Sequence, residues 1–128
     1  MAIRVVRLGS PRFPNEGLRI GTVRRPPRGV PKADFARRDF YDVWLPVLSP
    51  SEALVAQGLA VKDSKDWKRF ERKFRKEMSG GDASKVLDLL AALSHQTHFS
   101  IGCYCEHEAS CHRSVLKALL QERAAKFA

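Results

Sequence analysis

The chain has 128 residues, of which 44% are hydrophobic and 29% are charged. This length suits one domain, which buries roughly two thirds of the surface that its unfolded chain exposes. There is no run of eighteen apolar residues that could cross a membrane, and three cysteines within nine positions do not make the framework of a secreted disulfide-rich protein. We therefore expect a cytoplasmic protein with no membrane partner.

The net charge of +9 is concentrated in the N-terminal third of the chain. Residues 1–38 contain ten Lys and Arg against two acids, whereas residues 39–128 contain thirteen against twelve. A concentrated positive field attracts phosphate-bearing partners, but surface charge also serves simply to keep a protein in solution. The charge distribution leaves both interpretations open.

Two strands and a stiff basic loop are predicted in this N-terminal part. β-Branched residues alternate loosely over residues 3–8 and 18–23, as they do in strands. Residues 9–17 carry two prolines and two glycines and are typical of a loop. Residues 24–32 contain three prolines, which remove backbone donors, so the basic segment after the second strand is also a loop.

Helical segments are predicted in the middle of the chain. Residues 39–51 are expected to form a short helix or turn that buries Phe40, Trp44 and Leu48. Apolar residues three and four positions apart predict a helix over residues 64–78, with a stripe of Trp67, Phe70, Phe74 and Met78. Its Lys and Arg residues alternate with acids in the sequence, which favours a solvated face with internal ion pairs over a nucleic-acid face.

The last third of the chain is predicted to contain a helix, a strand and a helix. Asp82 is expected to cap a helix over residues 83–94, whose apolar stripe is Val86, Leu89, Leu90 and Leu93. Residues 97–105 alternate as a third strand that points Cys103 into the core, and the last helix begins near Cys111. Strands that alternate with long helices indicate an α/β fold, here a three-layer sandwich with a small, mainly parallel sheet.

The residues with the richest chemistry follow directly on the second and third strands. The carboxyl ends of parallel strands meet at one edge of a sheet, which is where ligands bind in α/β folds. We therefore expect the basic loop of residues 24–32 and the segment CEHEASCHR, residues 105–113, to lie close together. Three interpretations of this edge are open.

The first interpretation is a metal site, since the segment and Cys103 supply enough cysteines and histidines to hold zinc. The spacing argues against it, because structural zinc sites usually combine a C-x2-C knuckle with a second, distant pair of ligands, whereas here every candidate lies within ten residues. We therefore predict no metal and no cofactor. A thiol redox pair of Cys105 and Cys111, or a zinc site, remains an alternative.

The second interpretation is a reactive thiol at the start of the last helix. Unpaired N–H groups at a helix start stabilise a thiolate, which favours Cys111. The next residue, His112, is of the type that most often acts as a general acid or base. Cys111 and His112 are therefore the candidate catalytic residues, although many buried cysteines serve only for packing.

The third interpretation is a phosphate cradle at the same helix start. Backbone N–H groups, the Ser114 hydroxyl and the forked guanidinium of Arg113 suit an anion. In the alternative without a ligand, Ser110 caps the helix and Arg113 pairs with Glu106 or Glu108. The predicted ligand-binding residues are Arg24, Arg28, Lys32, Glu106, Arg113 and Ser114.

Four stretches of the chain resemble the domain-of-unknown-function 488 family, including its YeaO-like branch. They are RIGTVRRPPRGVPKADF, WLPVLSPS, DWKRFERKFRKEM and FSIGCYCEHEASCHRSVLKALL, in the family's order from about residue 3 to 122. The first half resembles the YeaO-like branch, while the Cys-His-Arg sequence at residues 111–113 resembles other members. The resemblance implies a compact α/β fold and no established activity, substrate or cofactor.

Our leading hypothesis from the sequence is binding of a phosphate-bearing small molecule, such as a nucleotide, in a basic cleft at the strand ends. The alternatives are a noncatalytic DNA- or RNA-binding module and a thiol redox or zinc site. Whether the protein is an enzyme is left open. An exposed sheet edge in so small a fold is also compatible with a homodimer.

Overall fold

The computed structural model describes residues 2–105 and 111–128. It contains a parallel sheet in the order β1-β4-β2-β3, whose strands are Ile3–Arg7 (β1), Leu18–Gly21 (β2), Val43–Trp44 (β3) and Phe99–Cys103 (β4). The helices are Glu52–Leu59 (α1), Ser64–Met78 (α2), Gly81–Leu93 (α3) and His112–Gln121 (α4). The predicted α/β class with a parallel sheet is confirmed. No helix in the described part of the chain is long and apolar enough to cross a membrane.

The central strand β4 is buried along its whole length. Ile101 pairs with Val5 of β1 on one side and with Ile20 of β2 on the other. Phe99 and Ile101 face the main core, which also takes residues from all four helices. Because the helices share this core, they form one layer on one face of the sheet.

The other face of the sheet carries a buried ion pair rather than a helix. Arg19 of β2 is fully buried and donates Nε–H to a carboxylate oxygen of Glu16 at 2.7 Å. One terminal nitrogen of Arg19 donates to the carbonyl oxygens of Ser10 and Asp39, and the other donates to the second carboxylate oxygen of Glu16. Ser100 of β4 also donates its hydroxyl to Glu16. The third layer of the predicted sandwich is therefore built from the irregular segment between β1 and β3.

The middle segment differs from the prediction at Trp44 and contains one helix that was not predicted. Trp44 is 42% exposed on the edge strand β3, because its indole N–H donates to the Val23 carbonyl oxygen at 2.7 Å and holds the ring at the sheet edge. Leu48, by contrast, is buried as predicted, in a 3-10 turn. Helix α1 was not predicted; Ser51 caps it by accepting a hydrogen bond from the Leu54 N–H.

The prediction for α3 is right about the helix and about Val86 and Leu90, which contact the core, but wrong about the N-cap and about Leu89 and Leu93, which are exposed. The N-cap is Gly80, and Asp82 lies in the first turn. Leu89 is 57% exposed, and the buried residues are Ala83, Leu87, Leu90 and Ala91. The buried side thus combines two alanines with two leucines, and Leu89 faces solvent.

The buried carboxylate of Glu16 yields a stability prediction. Burial alone would raise the pKa of Glu16, but hydrogen bonds from Arg19, Ser100 and the Phe13 N–H outweigh burial and lower it to about 2. We expect Glu16→Gln to lower the free energy of unfolding at pH 7 by about 3 kcal/mol, because the buried Arg19 charge loses its partner. Urea titration measures this loss.

The sign of the pH dependence follows from the lowered pKa of Glu16. Its contribution to stability is complete above its ordinary pKa of 4.5 and is lost as the pH falls to about 2. The variant should therefore show a flatter decline over that range. Glu122→Gln, which removes a surface partner of Arg75, is the control and should cost less than about 1 kcal/mol. Equal losses in the two variants would contradict the account.

Candidate cysteine-histidine site

The carboxyl ends of β2 and β4 lie side by side in the sheet. β2 leads to β3 on one side, whereas the segment after α4 returns to the far side of β1, where Phe127 bridges to Ile3. The edge where the connections of neighbouring strands leave in opposite directions is the usual ligand position in α/β sheets. The Tyr104 hydroxyl donates to the Arg25 carbonyl oxygen at 2.9 Å, so the basic loop lies beside this edge of the sheet.

His112, the first residue of α4, lies between the two strand ends. Its Nε2 is 2.6 Å from the Thr22 carbonyl oxygen, which only accepts hydrogen bonds, so Nε2 carries the proton. Nδ1 is then the nitrogen with a lone pair, and it lies 3.8 Å from Sγ of Cys111. The ring packs edge-on against Phe74 of α2. These contacts fix both the orientation and the tautomer of the imidazole.

The surroundings keep this imidazole neutral. Burial lowers the pKa of His112 to about 4; the hydrogen bond to Thr22 opposes the change, and the positive charge of Arg113 adds to it. At neutral pH the Nδ1 lone pair is therefore available to accept a proton or to bind a metal ion.

The two buried cysteines meet beside this nitrogen. Cys103, the last residue of β4, and Cys111, the N-cap of α4, are joined through their Sγ atoms as a disulfide, with Cα atoms 7.8 Å apart. Both side chains are buried in a small second core cluster. Their sulfurs and a ring nitrogen of His112 all lie within 4.8 Å of one another, the one such ligand cluster among the described residues.

The pairing differs from the Cys105–Cys111 pair that the sequence left open as an alternative. Cys103 is buried, as predicted, but it is also the partner of Cys111. Cys105 is a free thiol at the surface, so it does not form the predicted redox pair with Cys111 in this structure. Strand alternation correctly gave the direction of Cys103, but it carries no information about which residue lies over the strand end.

Two of the predicted ligand arginines bind the backbone. Arg113 is buried, and one of its terminal nitrogens donates to the Val6 carbonyl oxygen at 2.8 Å. Arg24 donates from Nε and a terminal nitrogen to the carbonyl oxygens of Pro50 and Ser49, at 3.0 and 3.2 Å. The two guanidinium groups thus hold different elements, β1 in one case and the start of α1 in the other.

The remaining predicted ligand-binding residues lie in the first turn of α4, on the loop after β2, or outside the described residues. The Ser114 hydroxyl donates to the Cys111 carbonyl oxygen at 2.8 Å within the first turn of α4. Arg28 and Lys32 are exposed on the loop that follows β2. Glu106 and the proposed cap Ser110 lie outside the described residues; the N-cap position of α4 is taken by Cys111, which makes no side-chain capping bond.

These features define a small parallel α/β protein with a cysteine-histidine cluster at the carboxyl edge of its sheet. The chain matches the family model DUF488-N3a, described as the active DUF488-N3 subclade, over residues 3–124. It therefore belongs to the DUF488 family, which confirms the resemblance found in the sequence. Comparisons with curated proteins and with solved structures gave no match. The likeness to the YeaO-like branch stays a prediction.

The neutral state of His112 predicts how stability depends on pH in the metal-free protein. The unfolded chain takes up a proton near pH 6.5, whereas the folded chain resists it until about pH 4, so stability is lost over that interval as the pH falls. The difference corresponds to about 3 kcal/mol. Urea unfolding at several pH values in this range measures the loss.

A matched pair of variants tests the origin of this dependence. His112→Gln, whose amide can still donate to the Thr22 carbonyl, should lose it. His95→Gln should retain it, since His95 contacts a carbonyl oxygen in the same way, that of Ala124 at 2.8 Å, but is exposed. The same pH dependence in His112→Gln and in the wild type would show that His112 is not the responsible group.

Proposed function

We propose that Cys103, Cys111 and His112 form a metal-binding centre, with zinc as the preferred ion. The carrying observation is the cluster of two sulfurs and one imidazole nitrogen within 4.8 Å. Thiolate and imidazole are the ligands that zinc prefers in proteins. In a tetrahedral zinc site, a sulfur and a nitrogen ligand are roughly 3.6 Å apart, which is close to the 3.8 Å between Cys111 Sγ and His112 Nδ1.

The hydrogen bond of His112 supports this proposal. A metal-binding histidine usually donates its other N–H to a carbonyl or carboxylate, which orients the ring. The Thr22 carbonyl is in that position at 2.6 Å from Nε2. Since the low pKa of about 4 keeps the ring neutral at pH 7, no proton has to leave Nδ1 when a metal binds.

The separation of the cysteine backbones also supports a metal ion. The Cα atoms of Cys103 and Cys111 are 7.8 Å apart, whereas disulfides usually span about 4.4 to 6.8 Å. In the reduced protein this separation leaves room for an ion between the two sulfurs. Three protein ligands leave a fourth position for water, a substrate or another side chain.

The fourth ligand decides whether such a centre is structural or catalytic. An open fourth position lets zinc activate a water molecule or polarise a substrate oxygen. The description of the family model as an active subclade is in keeping with a chemical role. With a fourth protein ligand the centre would instead be a structural site that links β4 to α4.

Metal analysis tests the proposal. We expect the reduced protein to bind one zinc ion per chain and to show intense thiolate-to-metal absorption with cobalt(II), because two thiolates are ligands. Cys111→Ser and His112→Gln should lose most of the metal. Cys105→Ser is the matched control and should retain it. Zinc binding that is absent from the wild type, or unchanged in Cys111→Ser, would refute the proposal.

The contact between the two sulfurs favours a second candidate, a dithiol-disulfide pair. An external disulfide such as oxidised glutathione would take two electrons and two protons from the thiols as the Cys103–Cys111 bond forms. His112 Nδ1 is placed to accept the proton of Cys111. A peptide linking residues 103 and 111 in the non-reduced protein, combined with no zinc in the reduced protein, would favour this candidate.

The phosphate-bearing ligand predicted from the sequence is a further proposal for the same edge. It is supported by Arg28 and Lys32, which are exposed on the loop held next to β4 by the Tyr104–Arg25 hydrogen bond. Calorimetric titration with inorganic phosphate and with ATP tests it. Binding that survives in the Arg28→Glu, Lys32→Glu double variant would contradict this placement.

A further inference from the structure

The solvent side of α2 is a continuous basic face. We define it by the seven Lys and Arg residues of the helix: Lys65, Lys68, Arg69, Arg72, Lys73, Arg75 and Lys76. At about 100° of rotation per residue, these seven positions fall within an arc of roughly 160° that contains no acidic position. The opposite side of the helix is the buried one.

The acids of α2 lie at the borders of this basic face. Asp66 and Glu77 are on one border and Glu71 is on the other, next to the apolar side of the helix. Charges that alternate in the sequence are therefore separated on the surface of the helix. The expected internal ion pairs occur only at these borders, where Arg69 reaches Asp66 at 3.7 Å and Arg75 reaches Glu71 at 3.8 Å.

The middle of the basic face is unpaired. Lys65, Lys68, Arg72 and Lys76 are exposed and form no ion pair with any residue in the described ranges. Lys65, Lys68 and Arg72 also line one shallow groove, together with Ser64 and Arg69. Four neighbouring cations without counterions are attractive to a polyanion.

The N-terminal third, where the sequence concentrates positive charge, is different. Its arginines are engaged with acids, carbonyl oxygens or aromatic rings in several places. Examples are Arg12 with Asp39 and Asp42, Arg19 with Glu16, Arg25 with Glu52, Arg24 with Ser49 and Pro50, and Arg4 with Phe13. Most of these arginine side chains are thus held by contacts within the fold, whereas Arg28 and Lys32 are exposed.

We propose that the basic face of α2 binds the phosphate backbone of double-stranded nucleic acid without base specificity. From Lys65 to Lys76 the face is roughly 16 Å long, and a duplex presents one negative charge per about 1.7 Å of its axis. Four of the seven cations are lysines, which bind phosphates as point charges rather than reading base edges.

The composition of the face distinguishes between polyanions. It carries no aromatic side chain, whereas proteins that bind single strands stack bases on aromatic rings. It also carries no apolar side chain, whereas helices that bind anionic membranes bury an apolar side in the lipid. Duplex backbone contacts need neither, so they fit this face best.

Two charge-matched double variants test the proposal. Fluorescence anisotropy with a random-sequence duplex of about 20 base pairs should give a slope of log K against log salt of about −4, since about four phosphates are neutralised. We expect Lys68→Glu with Arg72→Glu to weaken binding at least tenfold at moderate salt. Lys85→Glu with Lys126→Glu, at exposed positions outside both α2 and the loop of residues 24–32, changes the net charge equally and should weaken it much less. Lys68→Gln with Arg72→Gln checks that loss of contact, rather than repulsion, is responsible.

Any of the following outcomes would overturn the proposal. Equal losses in the two charge-reversed variants would mean that net charge alone drives binding. A larger loss in the Lys85 and Lys126 variant would place the contact away from α2. Preference for a single strand, or for anionic phospholipid vesicles over the duplex, would identify another partner, and binding of the wild type that is absent or insensitive to salt would remove the proposal. Circular dichroism of each variant checks that the overall helix content is unchanged.

Discussion

The hydrogen bond between His112 Nε2 and the Thr22 carbonyl joins the end of β2 to the start of α4, and the geometry of the site depends on it. Because the carbonyl can only accept, it fixes the proton on Nε2 and turns Nδ1 toward the sulfurs. This contact requires β2 and β4 to be parallel neighbours, so that their carboxyl ends lie together. The sheet order thus determines that the end of β2 can orient His112 toward the two cysteines.

The two faces of the sheet are stabilised in different ways. The helices cover one face with an apolar core, and the buried pair of Arg19 and Glu16 organises the irregular segment on the other. That segment contains much of the positive charge of the sequence, and several of its arginines bind acids or carbonyl oxygens within the fold. Exposed cations without an ion pair among the described residues lie on α2, at Lys65, Lys68, Arg72 and Lys76, and on the loop after β2, at Arg28 and Lys32.

The elements that could be predicted from the sequence are those with a clear period. β1, β2, β4 and α2 repeat apolar residues at strand or helix spacing over enough positions to be recognised. β3 has only two residues, and α1 buries only Leu54, so neither leaves a usable pattern. In α3 the helical period was right, but the buried side is centred on Ala83, Leu87, Leu90 and Ala91, so Leu89 is exposed.

The site could be predicted only in part. Cys111 and His112 were identifiable because a thiol and an imidazole stand together at the start of a helix. The role of Thr22 could not be predicted, because it acts through a backbone carbonyl that every residue type has. Cys103 was assigned to packing in the core. Alternation along a strand shows which way a side chain points, but it does not show that the start of a later helix will place Cys111 against Cys103.

X-ray absorption at the zinc edge of the reconstituted protein tests the central claim most directly. A centre of Cys103, Cys111 and His112 predicts two sulfur ligands at about 2.3 Å and one imidazole nitrogen at about 2.0 Å. In His112→Gln the imidazole contribution should disappear from any metal that is still bound. A shell of oxygen and nitrogen alone, or an imidazole ligand that persists in His112→Gln, would contradict the account.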